Sequence, residues 1–235
     1  MNPTLRISKI VETARLLSQR IEERFPDSGL HHLCEALVRI AEATRDRAMR
    51  EQRPYLLLRG GIIAILGAAA GVLGWVVLDV GAPLASGAAR TGVFELTGFL
   101  EASANLAILG GTGIWFLASL EERLRRRNLL EHLHELRSMA HVVDMHQLTK
   151  DPVVLLRGGE RTKSSPRREM SSFQLGRYLD YCTEMLAIIG KLAAIYGERT
   201  RDAQVIAGVN DLEVLTTGLG RKIWQKIMVL HDHTA

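Results

Sequence analysis

Apolar residues recur every three or four positions along most of this chain, with charged residues between them. Between residues 4 and 25 the apolar set is Ile7, Ile10, Ala14, Leu17 and Ile21, and between 29 and 53 it is Leu30, Leu33, Leu37 and Ile40. Residues 121–148 carry Leu129, Leu133, Leu136, Ala140 and Val143. Residues 170–197 carry Leu175, Tyr178, Cys182, Met185, Ile189, Leu192 and Tyr196, and a last segment, 202–231, has Val205, Val209, Leu212, Leu215, Leu219 and Ile223. Such steps line up one face of a helix, the seam along which helices pack. No segment alternates as a strand would, so the pattern predicts an all-α protein. "FPDSG" at 25–29 separates the first two helices through Pro26 and Gly29. "KDP" at 150–152 stops the helix before it, because proline disfavours helical backbone at the preceding residue.

Two stretches break this pattern by carrying no charge on any face. Gly60–Leu78 and Ala102–Leu120 are each 19 residues without Asp, Glu, Lys or Arg. At about 1.5 Å per residue each reaches roughly 28 Å, close to a hydrocarbon core of about 30 Å. The expectation is a two-helix transmembrane hairpin. Arg45, Arg47, Arg50, Arg53 and Arg59 precede the first stretch, and Arg123, Arg125, Arg126 and Arg127 follow the second. The connection holds Arg90 against Asp79, Glu95 and Glu101. Positive residues stay on the cytoplasmic side, so both termini are expected there. Residues 1–25 carry charges throughout, and no signal peptide is expected. The expected organisation is N-terminal cytoplasmic helices over 1–53, the membrane hairpin over 54–120, and a stalk helix over 121–150. A basic linker over 151–172 and a C-terminal helical hairpin over 173–235 complete it. The stalk helices continue the spans into the cytoplasm and carry a helical bundle.

Each span has a distinctive face. In the first, Gly60, Ala64, Gly67, Gly71 and Gly74 share one side, and Gly67 with Gly71 makes a GxxxG step that allows close helix packing in lipid. In the second, Gly98, Glu101, Asn105, Thr112 and Ser119 share a face if 98–120 is one helix. Polar groups at membrane depth usually face a bundle interior or water. Glu101, Asn105 and Thr112 therefore read either as a pore-lining stripe in an assembly or as helix-packing contacts, with Glu101 solvated among outer headgroups.

The linker "DPVVLLRGGERTKSSPRREMSS" reads as a solvated loop near anionic headgroups, or as an anion contact through Arg157, Arg161 and Lys163. It lacks the GxxxxGK[ST] spacing of nucleotide hydrolases. "EHLH" holds one Glu-x-x-His step, Glu131 to His134, where carboxylate-bridged metal bundles need two. "HHLCE" at 31–35 has ligand-type residues but no second set at zinc spacing. No nucleophile–base pattern appears. Catalytic residues, metal and cofactor are all assigned as none, and the chain is not expected to be an enzyme. Composition adds little. The net charge of +4 is mild, and 5% aromatic content is low for a nucleic-acid stacking surface, so no nucleic acid is expected. Cys34 and Cys182 read as buried free thiols in a reducing compartment.

"RNLLEH", Arg127 to His132, has the R-x4–6-H spacing of HEPN-type ribonucleases, and that resemblance would imply a membrane-tethered ribonuclease. The order of elements over residues 45–148, with the "LEERLRRR" exit from the second span, resembles bacterial SLATT-like two-span proteins. That resemblance implies an inner-membrane, pore-forming or membrane-disrupting effector of nucleotide-signalled phage defence. It implies no particular functional residue. The expected function is an oligomeric membrane effector or channel gated by its cytoplasmic bundle. The alternative is a non-conducting scaffold that recruits a cytosolic partner through 170–231. The partners expected are the bilayer, further copies of the chain, and a cytosolic protein or nucleotide signal.

Overall fold

The computed structural model describes residues 5–50, 56–76, 78, 93–152, 163, 170–198 and 200–232. Among them the regular elements are six helices and no strand: α1 (Ile7–Arg24), α2 (Gly29–Arg50), α3 (Leu56–Val76), α4 (Val93–Leu148), α5 (Ser172–Gly197) and α6 (Ala203–Asp232). The chain forms two compact units, one of Met1–Arg50 with Arg126–Ala235 and the other of Glu51–Arg125. Helix α4 contributes to both.

In the first unit the expected seams become the core. Ile10, Ala14, Leu17 and Ile21 of α1 are buried, as are Leu30, Leu33, Cys34, Leu37 and Ala41 of α2. A tight turn joins the two helices. Phe25 N–H closes α1 on Ile21 O at 2.7 Å, and Ser28 Oγ accepts from His31 N–H at 3.2 Å at the start of α2. That hydroxyl satisfies a backbone donor otherwise left unpaired at a helix start. The left-handed residue of the turn is Asp27, at φ 52°, and Gly29 matters for closeness. A Cβ there would lie 2.9 Å from His146 Cε1 of α4.

All five seam residues of α4 from Leu129 to Val143 are buried. Helix α5 exceeds its seam, because Leu179, Tyr181, Leu186, Ile188, Ala193 and Ile195 are buried as well. It is the central helix of the bundle, with neighbours on several sides. Its start is fixed by a capping box. Ser171 Oγ accepts from Gln174 N–H at 3.2 Å, and Gln174 Oε1 accepts from Ser171 N–H at 2.9 Å. Helix α6 begins on Asp202, whose Oδ1 accepts from Gln204 N–H and Val205 N–H at 2.9 and 3.2 Å. The same carboxylate lies 3.5 Å from Arg126 of α4. Two glycines set close helix crossings. A Cβ at Gly208 would meet Leu133 Cδ1 at 3.2 Å, and one at Gly190 would meet Thr216 Oγ1 at 3.2 Å.

In the second unit α3 and the first part of α4 run antiparallel. A Cβ at Gly61 would lie 3.7 Å from Leu117 Cδ1, and one at Gly113 would lie 3.7 Å from Ile65 Cδ1. One helix ascends by a turn while the other descends by one. Many of the described apolar side chains are exposed: Ile63, Leu66, Val72 and Trp75 of α3, and Ile108, Leu109, Trp115 and Phe116 of α4. Among the described residues no helix is long and apolar enough to cross a membrane. The charge-free run of the first stretch extends to Leu78, beyond the end of α3, and residues 77 and 79–92 lie outside the described residues. The junction of α2 with α3 also lies outside them, at 51–55, as do 153–162 and 164–169 of the linker. The second junction is described. Helix α4 is one unbroken helix of 56 residues, so the expected stalk and the second stretch are parts of one element.

Candidate functional site

Because α4 is continuous, Glu101, Asn105 and Thr112 fall on one side of it, within about 40° of one another at 100° per residue. All three are exposed. Ser119, one step further, is partly covered and donates its Oγ hydrogen to Trp115 O at 2.8 Å. Gly67 and Gly71 have open space around them: a Cβ at either meets nothing within 4 Å. The contact between α3 and α4 uses Gly61 and Gly113 instead, one helical face away. Among the described residues, nothing packs against Gly67 or Gly71. Of the anion set, Lys163 sits exposed in a turn, and Arg157 and Arg161 lie outside the described residues.

The residues of "RNLLEH" are occupied otherwise. Arg127 Nε donates to Glu131 Oε1 at 3.0 Å, and the His132 ring stacks on Tyr196 of α5 at 5.8 Å and 27°. Glu131, the acid of the lone Glu-x-x-His step, is thus committed to an ion pair. His134 and His141 are exposed, and Arg137 pairs with Asp211 of α6 at 3.7 Å.

A feature that seam reading does not reveal is a polar knot at the C-terminal end of α4. Gln147 is buried there. Its Nε2 donates to Asp144 Oδ1 at 2.6 Å, and its backbone carbonyl and Oε1 accept from Lys226 Nζ at 2.9 and 2.5 Å. A cation at a helix C-terminus meets carbonyls that lack a partner within the helix and the negative end of the helix dipole. Burial lowers the Lys226 pKa from the ordinary lysine value, against the opposing pull of Asp151 and Asp144. Beside the knot, the Lys150 ammonium lies 5.1 Å from the Tyr178 ring centre, and Tyr178 OH is 3.4 Å from His146 Nδ1. The faint signal in the sequence is Lys226 itself, next to Ile227, which lies one step beyond the last seam residue Ile223.

The free thiols Cys34 and Cys182 are both buried. Burial pushes each up to about 12, so neither is a thiolate near neutral pH. At the turn between α1 and α2, the ligand-type residues His31, His32 and Glu35 come together, with one ligand atom from each inside a 4.8 Å set. No protein-family model matches this chain, and no curated protein and no solved structure is similar to it.

Proposed function

We propose that the chain is an oligomeric membrane effector or channel, anchored in a bacterial inner membrane by α3 and the first part of α4. The helical bundle acts as its cytoplasmic sensor or gate. The observation that carries this reading is the pairing of two charge-free 19-residue runs with an outward-facing apolar surface. The described residues alone do not reach membrane-crossing length and apolarity. The full runs in the sequence do, and backbone satisfied within a helix is what lipid requires. Arginine at both ends of the pair, and little in its connection, supports cytoplasmic termini.

Two helices cannot enclose a water path, so conduction needs several copies. The open face at Gly67 and Gly71 suits a contact between copies, and the stripe of Glu101, Asn105 and Thr112 supplies polar groups for a shared axis. The SLATT-like resemblance supports an effector role in phage defence with a nucleotide trigger. The test combines particle mass in detergent with ion flux in liposomes. The expected outcome is a multimer that passes cations in preference to anions, with the preference removed by Glu101→Gln. A monomer, or flux and selectivity unchanged by Glu101→Gln, overturns the channel reading.

A second reading, the non-conducting scaffold, is favoured by one observation. Val214, Trp224 and Met228 leave large apolar side chains exposed on α6. If the scaffold reading holds, the unaltered chain should pass no ions in liposomes and replacing all three with Ser should abolish partner recruitment.

A further inference from the structure

The turn between α1 and α2 does more than reverse the chain. His31, His32 and Glu35 each offer one ligand atom, and these atoms lie within 4.8 Å of one another. Two more carboxylates stand behind them. Asp27 Oδ1 is 3.2 Å from His32 Nε2, and Glu22 Oε2 is 4.0 Å from His31 Nε2. On the other side of the His32 ring, Nδ1 is 3.6 Å from Glu35 Oε2.

We propose that His31, His32 and Glu35 bind one divalent cation of the zinc class, with Asp27 orienting the His32 imidazole. Two imidazoles and a carboxylate form a donor set used by three-ligand zinc sites, which leave a fourth position for water or another ligand. A metal-bound histidine characteristically gives its other ring N–H to a carboxylate, which fixes the tautomer. His32 is arranged this way: Asp27 takes Nε2 and Nδ1 is turned toward Glu35. On His31, Glu22 Oε2 stands 4.0 Å from Nε2, beyond hydrogen-bond length.

The competing description is a set of histidine–carboxylate ion pairs. That description treats each ring separately, whereas one ligand atom of each of the three residues lies within 4.8 Å of the others and the two rings stack 5.8 Å apart. Glu22, Asp27 and Glu35 supply negative charge around a cation held there. Bond lengths of about 2.0–2.2 Å require the ligand atoms to close to about 3.3 Å from one another. His32 and Glu35 are exposed and free to make that rotation. Imidazole donors favour zinc, nickel or copper over magnesium and calcium, which take oxygen ligands.

The experiment is calorimetric titration of the metal-free, full-length protein in detergent with zinc chloride, repeated with magnesium chloride. The expected result is one zinc per chain and no response to magnesium. His32→Gln and Glu35→Gln should each weaken zinc binding at least about tenfold, and Asp27→Asn, which touches no metal, by about tenfold. Thermal melting of each variant without metal should match the parent, because these side chains are exposed. The control His134→Gln/His141→Gln should leave the isotherm unchanged. Absence of zinc binding, or an isotherm that moves with the control and not with His32→Gln, overturns the proposal.

Discussion

Leu109 and Leu136 lie on the same helix and meet opposite surroundings. Leu109 is 72% exposed, whereas Leu136 is 1% exposed. Around Leu136 the sequence interleaves Glu131, His134, Glu135 and Arg137 with the apolar seam, so one face is wet and the other is buried. Around Leu109 nothing is charged from residue 102 to 120, and the apolar side chains face outward on several sides. Apolarity alone therefore does not tell where a leucine is buried. The charge pattern accompanying it distinguishes a face covered by protein from one that calls for another apolar surrounding, either lipid or a second copy.

The contrast is sharpest for cavity formation. Leu136→Ala should destabilise the bundle by about 2–5 kcal/mol, measured by denaturant unfolding, because the surrounding core closes the gap only in part. Leu109→Ala in the same assay should stay within about 0.5 kcal/mol. Equal effects would remove the distinction between the two regions. Charge insertion reverses the order. Ile108→Arg should cost about 2.5–3.5 kcal/mol of membrane insertion and deplete the chain from the membrane fraction. Val142→Arg, at a 38% exposed position of the bundle, should leave fractionation unchanged.

Hydroxyls divide in the same way. Thr44 is fully buried and lies 3.1 Å from Tyr196 OH, so Thr44→Val should cost about 1–3 kcal/mol by stranding that phenol. Ser119→Ala, which loses only a bond to its own helix, should be nearly silent in the same melt. Alkaline pH tests the bundle by itself. Both thiols have folded pKa values raised by burial to about 12, above an unfolded value of about 8.5. Their contribution is complete below pH 8.5 and is lost as pH rises from there toward 12, since only the unfolded chain ionises in that window. By pH 9.5 the loss should be about 1 kcal/mol per thiol. Lys226, with its value lowered by burial, works in the opposite direction up to about pH 10.4. A Cys34→Ala/Cys182→Ala variant should flatten the alkaline fall; an unchanged slope would show that other groups cause it.

The seams of α1, α2, α4 and α6 are legible in the sequence because each helix has one covered side, and a three-four spacing records one side well. Helix α5 is legible only in part. A seam assumes one covered face, whereas Tyr181, Leu186, Ile188 and Ile195 face other neighbours. The pairing of Gln147 with Lys226 has no local signature, because it joins residues 79 positions apart. The meeting of His31, His32 and Glu35 was visible as a cluster of types, but the position of Asp27 and Glu22 depends on how the turn folds back on α1. The stripe on α4 was legible as spacing. What it faces is not fixed by the chain's own contacts, since Glu101, Asn105 and Thr112 are all exposed.

The first unit is interrupted in sequence by the second, and that has a kinetic consequence during synthesis. Helices α1 and α2 leave the ribosome as a hairpin whose inner residues, among them Leu17, Ile21, Leu30 and Leu37, are fully covered in the finished fold. Part of that cover comes from α5, whose first residue, Ser172, follows Arg50 by about 120 positions. At about 5–20 residues per second the wait is roughly 6–24 s, during which both charge-free stretches are also made. Local helix pairing takes microseconds, so the hairpin forms early and then stands incomplete. The nascent chain is thus most open to proteolysis and to chaperone binding in that interval, and a chain stopped before α5 should be degraded although its first two helices can pair.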